Sequence, residues 1–227
     1  MFELPDAKAG KGPATLKKHV GKTITFNGYF RVWNEGHWKG QVHPSNPHHV
    51  FEVHPAWRFT FQGGSFDEPS LIRTMTGYRG YGLSKYERVL DEAGDWLKAY
   101  QDEDSLFVQL QDASNFFQLP VEITDTSSID GGTALTLDVY SSNQYKRLVY
   151  GRLRGIVVDG ATLGANLPVG VRLTLLGFLS VNLKIALDGI PATATSPGLA
   201  WGVKDALEFF VFGKAKKAAW PKGQTFE

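Results

Sequence analysis

Hydrophobic and polar positions alternate one by one over long stretches of this chain. From Thr23 to Trp33, Ile24, Phe26, Phe30 and Val32 fall on one face, with Thr25, Asn27, Tyr29 and Arg31 on the other and Gly28 between them. A period of two over this length predicts a half-buried strand, and the glycine marks a bulge or sharp bend. Val50 to Phe61 repeats the pattern. Phe51, Val53, Trp57, Phe59 and Phe61 oppose Val50, Glu52, His54, Arg58 and Thr60. Pro55 has no N–H for a ladder, so this strand is expected at a sheet edge or bulged there.

The period changes at Ser84. Tyr86, Val89, Leu90, Ala93, Trp96, Leu97 and Tyr100 follow 3.6 spacing behind a Ser84/Glu87 capping box, which predicts a helix over 84–100 with Gly94 weakening its middle. Asp102-Glu103-Asp104 would oppose the helix dipole, so the helix is expected to end before it. Strand patterns return at Leu106–Gln111, Phe116–Thr124, Ala134–Tyr140, Arg147–Val158 and Val171–Val181, separated by turn signals such as Asp130-Gly131-Gly132 and Asp159-Gly160. Many β-rich runs at short spacing argue for a barrel or sandwich of antiparallel neighbours. Leu183 to Ile190 fits strand or helix equally. Ser196 and Pro197 read as the cap and first position of a last helix that buries Val203, Leu207, Phe210 and Val211. The expected fold is therefore mainly β, an antiparallel OB-like barrel with one internal and one C-terminal helix. Residues 1–20 read as a mobile lead-in and 21–190 as one elaborated barrel or two fused small ones. Residues 191–227 read as a linker, the last helix and a basic tail.

Composition narrows the function classes. With 42% hydrophobic and 21% charged residues the chain is globular rather than disordered, and no apolar run approaches the ~18 residues of a membrane helix. The formal net charge is +1, so any attraction to a polyanion must come from a local patch. The absence of cysteine excludes disulfides, thiolate zinc sites, iron–sulfur clusters and a cysteine nucleophile. The first residues lack an apolar segment behind a basic start, so a cytoplasmic location without membrane association is expected.

Two stretches carry chemistry. Between Trp33 and Arg58 lie His37, His43, His48, His49 and His54 together with Glu35 and Glu52. Glu52 and His54 share a strand face, and His48 or His49 would supply a third ligand. Such a set with one open position suits a divalent metal, zinc or manganese, and metal-assisted hydrolysis of a phosphodiester with Arg58 steadying the phosphate. The same residues equally fit the polar face of an amphipathic strand, a reading with no cofactor. The second stretch is Lys146 to Arg154, where Tyr150, Arg152 and Arg154 share one face, and Tyr29 and Arg31 give the first strand a similar one. Guanidinium groups interleaved with an aromatic ring are the ingredients of a single-stranded nucleic-acid platform. They are also the makings of an ordinary solvated face. Gly77-Tyr78-Arg79-Gly80-Tyr81-Gly82 lacks the order of a phosphate-binding loop and reads as a turn.

The arrangement Thr23–Trp33, loop, Val50–Phe61, helix, then further strands resembles an oligonucleotide/oligosaccharide-binding (OB) barrel with insertions. Phe51-Glu52-Val53-His54-Pro55 is similar to a Trp-Glu-Ile-His-Pro strand of uncharacterised bacterial OB-like proteins, with Phe51 in place of the Trp. The resemblance covers residues 20–61 and implies a ligand-binding barrel; it transfers no catalytic residue. The leading expectation is a binding module for single-stranded nucleic acid or another extended polyanion, through Tyr29, Arg31, Arg58, Tyr150, Arg152 and Arg154. The alternatives are the metal-assisted hydrolase and a structural or partner-binding protein.

Overall fold

The computed structural model describes residues 16–35, 49–67, 83–110, 116–130, 132–141, 147–158 and 167–214. Its centre is a closed five-stranded barrel of β6 (Phe116–Ile129), β7 (Gly132–Tyr140), β8 (Arg147–Val158), β9 (Arg172–Val181) and β11 (Leu207–Lys214). Around the barrel the order is β11-β8-β7-β6-β9, and β9 returns to β11. β11 runs parallel to β8; every other barrel pair is antiparallel. The mainly-β barrel expected from the alternating pattern is what the chain forms.

Alternation fills the barrel. Phe117, Leu119, Val121 and Ile123 on β6, Leu135, Leu137 and Val139 on β7, Leu153 and Val157 on β8, and Leu173, Leu175 and Leu179 on β9 belong to one buried core, which Leu207, Phe209 and Val211 complete. A small barrel has no room for a large residue at every inward position. Gly155 and Gly177 supply the gaps: a Cβ on Gly155 would stand 2.8 Å from Leu137 Cδ1, and one on Gly177 would meet the Phe210 carbonyl oxygen and the Phe209 ring.

Both expected helices change in the structure. The internal one is α1 (Leu83–Asp91), followed by the single turn α2 (Ala93–Trp96); Leu97 then starts β4 (Leu97–Asp102), which pairs with β5 (Ser105–Leu110). α1 begins ahead of Ser84, so Ser84 is inside the helix and not its cap. Leu97 and Ala99 are buried at a spacing of two, and the hairpin across Glu103, at φ 49°, decides for strand. The expected C-terminal helix is not formed by residues 196–214. Pro197–Leu199 and Lys204–Ala206 are short 3-10 turns, Trp201–Gly202 (β10) pairs with β4, and Leu207 onward is β11. Leu207, Phe209 and Val211 alternate as well as they fit a helix, and two flanking ladders, on β8 and β9, outweigh local propensity. The ambiguous stretch is helical, α3 (Leu183–Asp188), capped by the Asn182 side chain, which accepts from Ile185 N.

The N-terminal strands form a separate three-stranded sheet, β1 (Ile24–Glu35), β2 (His49–Phe61) and β3 (Gly64–Asp67), in that order. The resemblance to an OB barrel lies in residues 20–61, whereas the closed barrel is built from residues 116–214. Register shifts flank Gly28 and enclose Pro55, as the glycine and proline foretold. Their consequence was not foreseen: toward the far end of the sheet the faces reverse. Phe30 and Phe51 are exposed and stack on each other, while Arg31, Trp33 and Glu52 are buried. Residues 16–20, part of the expected lead-in, form a turn whose His19 ring stacks on Phe61 at 3.9 Å.

Candidate ligand-binding face

Cross-strand register builds two polar rows on the outside of the barrel. The first runs Glu122–Asp138–Arg152 across β6, β7 and β8; the second runs Asp125–Thr136–Arg154–Glu208 across β6, β7, β8 and β11. Simple alternation along β6 would turn Asp125 inward, because Ile123 is a core residue. A bulge between Ile123 and Asp125 inserts Thr124, resets the phase and places Asp125 opposite Thr136. Thr124 Oγ1 donates to the Thr136 carbonyl. The sequence pattern ended β6 at Thr124; the strand continues through Asp125, Thr126, Ser127 and Ser128 to Ile129.

Over these rows lies an open depression of about 330 Å³. Asp125 and Ser127 line one side, Thr136, Arg152 and Arg154 lie across it, and Asp205, from the turn before β11, closes the other. Arg152 Nε donates to Asp138 Oδ1 at 3.1 Å, and Arg154 NH1 to Glu208 Oε1 at 2.6 Å. Asn182 Nδ2 donates to the same Glu208 oxygen at 2.8 Å, tying the start of α3 to the row. The carboxylates are buried and the guanidiniums are not: the Arg152 side chain is 62% exposed and that of Arg154 39%. Each arginine is thus anchored from below and presents its remaining N–H groups outward. An anchored planar fork loses less freedom on meeting a ligand than a loose one.

Beyond the depression a third cluster joins the same strands. Glu122 Oε2 accepts from Tyr140 Oη at 2.7 Å and from Arg172 Nε at 2.8 Å, and the Arg172 guanidinium lies 5.4 Å from the Tyr140 ring centre. Burial, then the hydrogen bond to Glu122, raises the Tyr140 phenol above its ordinary pKa. The bond to Glu122 likewise raises Arg172. Tyr86 Oη donates to the Tyr140 carbonyl, so this cluster fastens α1 to β7.

The candidates drawn from sequence divide between two sheets. Arg152 and Arg154 stand in the depression, and Tyr150 belongs to β8 within a register shift between Arg147 and Arg152, with a side chain outside the described residues. Tyr29 and Arg58 belong to the N-terminal sheet, Tyr29 with its side chain outside the described residues and Arg58 exposed. Arg31 is a correction. It was expected on a solvated face and is fully buried: NH1 donates to Glu52 Oε1 at 3.0 Å and Nε to the Leu179 carbonyl at 2.8 Å, with the guanidinium 4.9 Å from both the Trp33 and Phe178 ring centres. Arg31, with Val32 N donating to Ser180 Oγ, docks β1 on β9.

Glu52, a candidate ligand of the expected metal site, has its carboxylate buried in an ion pair with Arg31. His48 lies outside the described residues. His49 and His54 lie on β2 with side chains outside them. Among the described residues no group of three or more histidines and carboxylates is placed to hold a metal. Also among them, no helix is long and apolar enough to cross a membrane.

Asp125, Ser127, Thr136, Asp138, Asp205 and Glu208 were not singled out from sequence. One signal was legible: the polar run from Thr124 to Ser128 breaks the alternation of a strand that continues. No protein-family model, curated protein or solved structure matches this chain.

Proposed function

We propose that this protein is a binding module of OB type, and that its ligand is a single-stranded oligonucleotide laid across the outer face of β6, β7 and β8. The observation that carries the proposal is the row Asp125–Thr136–Arg154, opened to solvent by a bulge and set in a depression beside Arg152. Taking the five barrel strands in chain order, their sequence around the barrel is first, second, third, fifth, fourth, with the third and fifth parallel. We read this order as that of an OB barrel. Folds of this kind bind oligomers on the second and third strands, between the loop after the first strand and the one before the fifth. Here those strands are β7 and β8; Ser127, on β6 near its end, and Asp205, in the turn before β11, lie on either side of them.

The face supplies hydrogen-bond donors on rigid strands and is open enough for a chain to cross it. Fluorescence anisotropy with labelled single-stranded DNA and RNA of mixed sequence tests the reading. Saturable binding is expected, weakened tenfold or more in Arg152→Ala/Arg154→Ala, whose far-UV circular dichroism should match the parent. A parent protein that binds neither strand type sinks the proposal.

A further inference from the structure

The charges beneath and around the depression say what part of such a strand it reads, an inference that rests on the proposed function. Arg152 and Arg154 each sit on a carboxylate, Asp138 and Glu208, and Asp125 and Asp205 add two more acids at the rim. With Lys204, whose Nζ lies 3.2 Å from Asp205, three cations face four anions among the described residues. A groove that holds phosphates needs an excess of positive charge to displace the counterions of the strand, and here the balance has the opposite sign. Fixed acceptors beside fixed donors match a base edge instead, because a carboxylate accepts from an exocyclic amino group while an arginine donates to ring nitrogens and carbonyls.

We infer that the groove reads bases rather than phosphates, and that Asp125 makes it prefer cytosine to thymine or uracil. Cytosine presents its 4-amino group beside a ring nitrogen and a carbonyl, so one edge offers a donor to Asp125 and acceptors to Arg154 or Arg152. Thymine and uracil place a carbonyl oxygen where cytosine has the amino group, and that oxygen faces the Asp125 carboxylate. The bulge at Thr124 is what turns this carboxylate outward. Asp125 Oδ1 also accepts from Thr126 N at 2.8 Å, which fixes its orientation before any ligand arrives. Asp205, whose side chain is 84% exposed, stands on the other side and pairs with Lys204 at 3.2 Å, so that rim carries little net charge.

The test is a competition between oligo-dC and oligo-dT on the full chain at mildly alkaline pH, with the mixed-sequence strand as reference. Oligo-dC is expected to bind at least about fivefold tighter, the lower end of what one good base contact contributes. The dependence of log K on log salt is expected to be no steeper than about −1.4, the slope two phosphate contacts give on a single strand. Asp125→Asn, whose amide can turn either its oxygen or its nitrogen to the base, should bring the two affinities together by strengthening oligo-dT. Equal affinities in the parent protein, or a preference that survives in Asp125→Asn, overturn the inference while the binding function stands. A steep salt slope, with affinity indifferent to base, assigns the face to phosphates and also overturns it. A failure of every strand to bind takes down both the inference and the function beneath it.

Discussion

Two positions show how narrowly single residues are set in this barrel. Gly177 faces inward where β6, β9 and β11 meet, and the space a Cβ would need belongs to the Phe210 carbonyl, a backbone atom that cannot swing aside. Gly177→Ala is expected to cost about 3 kcal/mol or more, the upper end of overpacking penalties, read as a fall in the urea midpoint. Gly198, with open space around the same added carbon, serves as the control and should tolerate Ala. Tyr140 acts through its proton. Burial and Glu122 raise its pKa in the folded protein above the ordinary value of about 10, so the folded chain holds the proton more tightly than the unfolded one. This contribution to stability is complete below about pH 10 and is lost as pH rises through the folded value. Urea midpoints between pH 8 and 11 should decline with pH. In Tyr140→Phe, which also loses the bond to Glu122, that decline should be shallower and the starting midpoint lower.

At the scale of elements, the strands of the barrel were legible because each buries one face against a single core, and alternation reports that directly. Phe116, Ala134, Arg147 and Val171, the starts of four expected strands, all lie in or beside strands that the chain forms. What misled was the pair of segments whose apolar residues fit both periods. Leu97 to Tyr100 and Leu207 to Val211 become strands because partners lie beside them, and partners are a property of the tertiary fold. The site was legible only in part. Arg152 and Arg154 stand out by their charge on an alternating strand, whereas Asp125 depends on a bulge whose effect on phase no local pattern fixes. The reversal of faces along β1 and β2 has the same origin and conceals a docking element: Arg31 and Glu52, which alternation assigns to solvent, join the N-terminal sheet to β9. Removing one partner strands a buried charge, so Arg31→Met is expected to lose about 3–5 kcal/mol. Replacing both, as Arg31→Met/Glu52→Leu, should recover most of that loss. Urea denaturation of the single and double variants checks both. A double variant as unstable as the single one would show that the bond to the Leu179 carbonyl matters more than the ion pair.

For the molecule as a whole, the decisive element is the last described strand. If residues 196–211 formed a helix laid on a finished domain, a chain ending at Ala206 would lose an appendage and keep its core. β11 instead sits between β8 and β9, and Leu207, Phe209 and Val211 contribute to the core from inside the barrel. Glu208, on its outer face, anchors Arg154 and Asn182. Ending the chain at Ala206 leaves β8 and β9 with one edge each, exposes the interior between them and frees Arg154 from its carboxylate. Such a chain is expected to bind a hydrophobic dye, to lose the cooperative urea transition and to bind no oligonucleotide. Glu208→Gln separates the two roles of the strand: the barrel stays closed, so the urea midpoint should move little, while the looser Arg154 should weaken oligonucleotide binding severalfold. A truncated chain that still unfolds cooperatively would mean that the four remaining strands hold the barrel by themselves. The parallel contact of β11 with β8 would then be a secondary feature of the fold and not its closure.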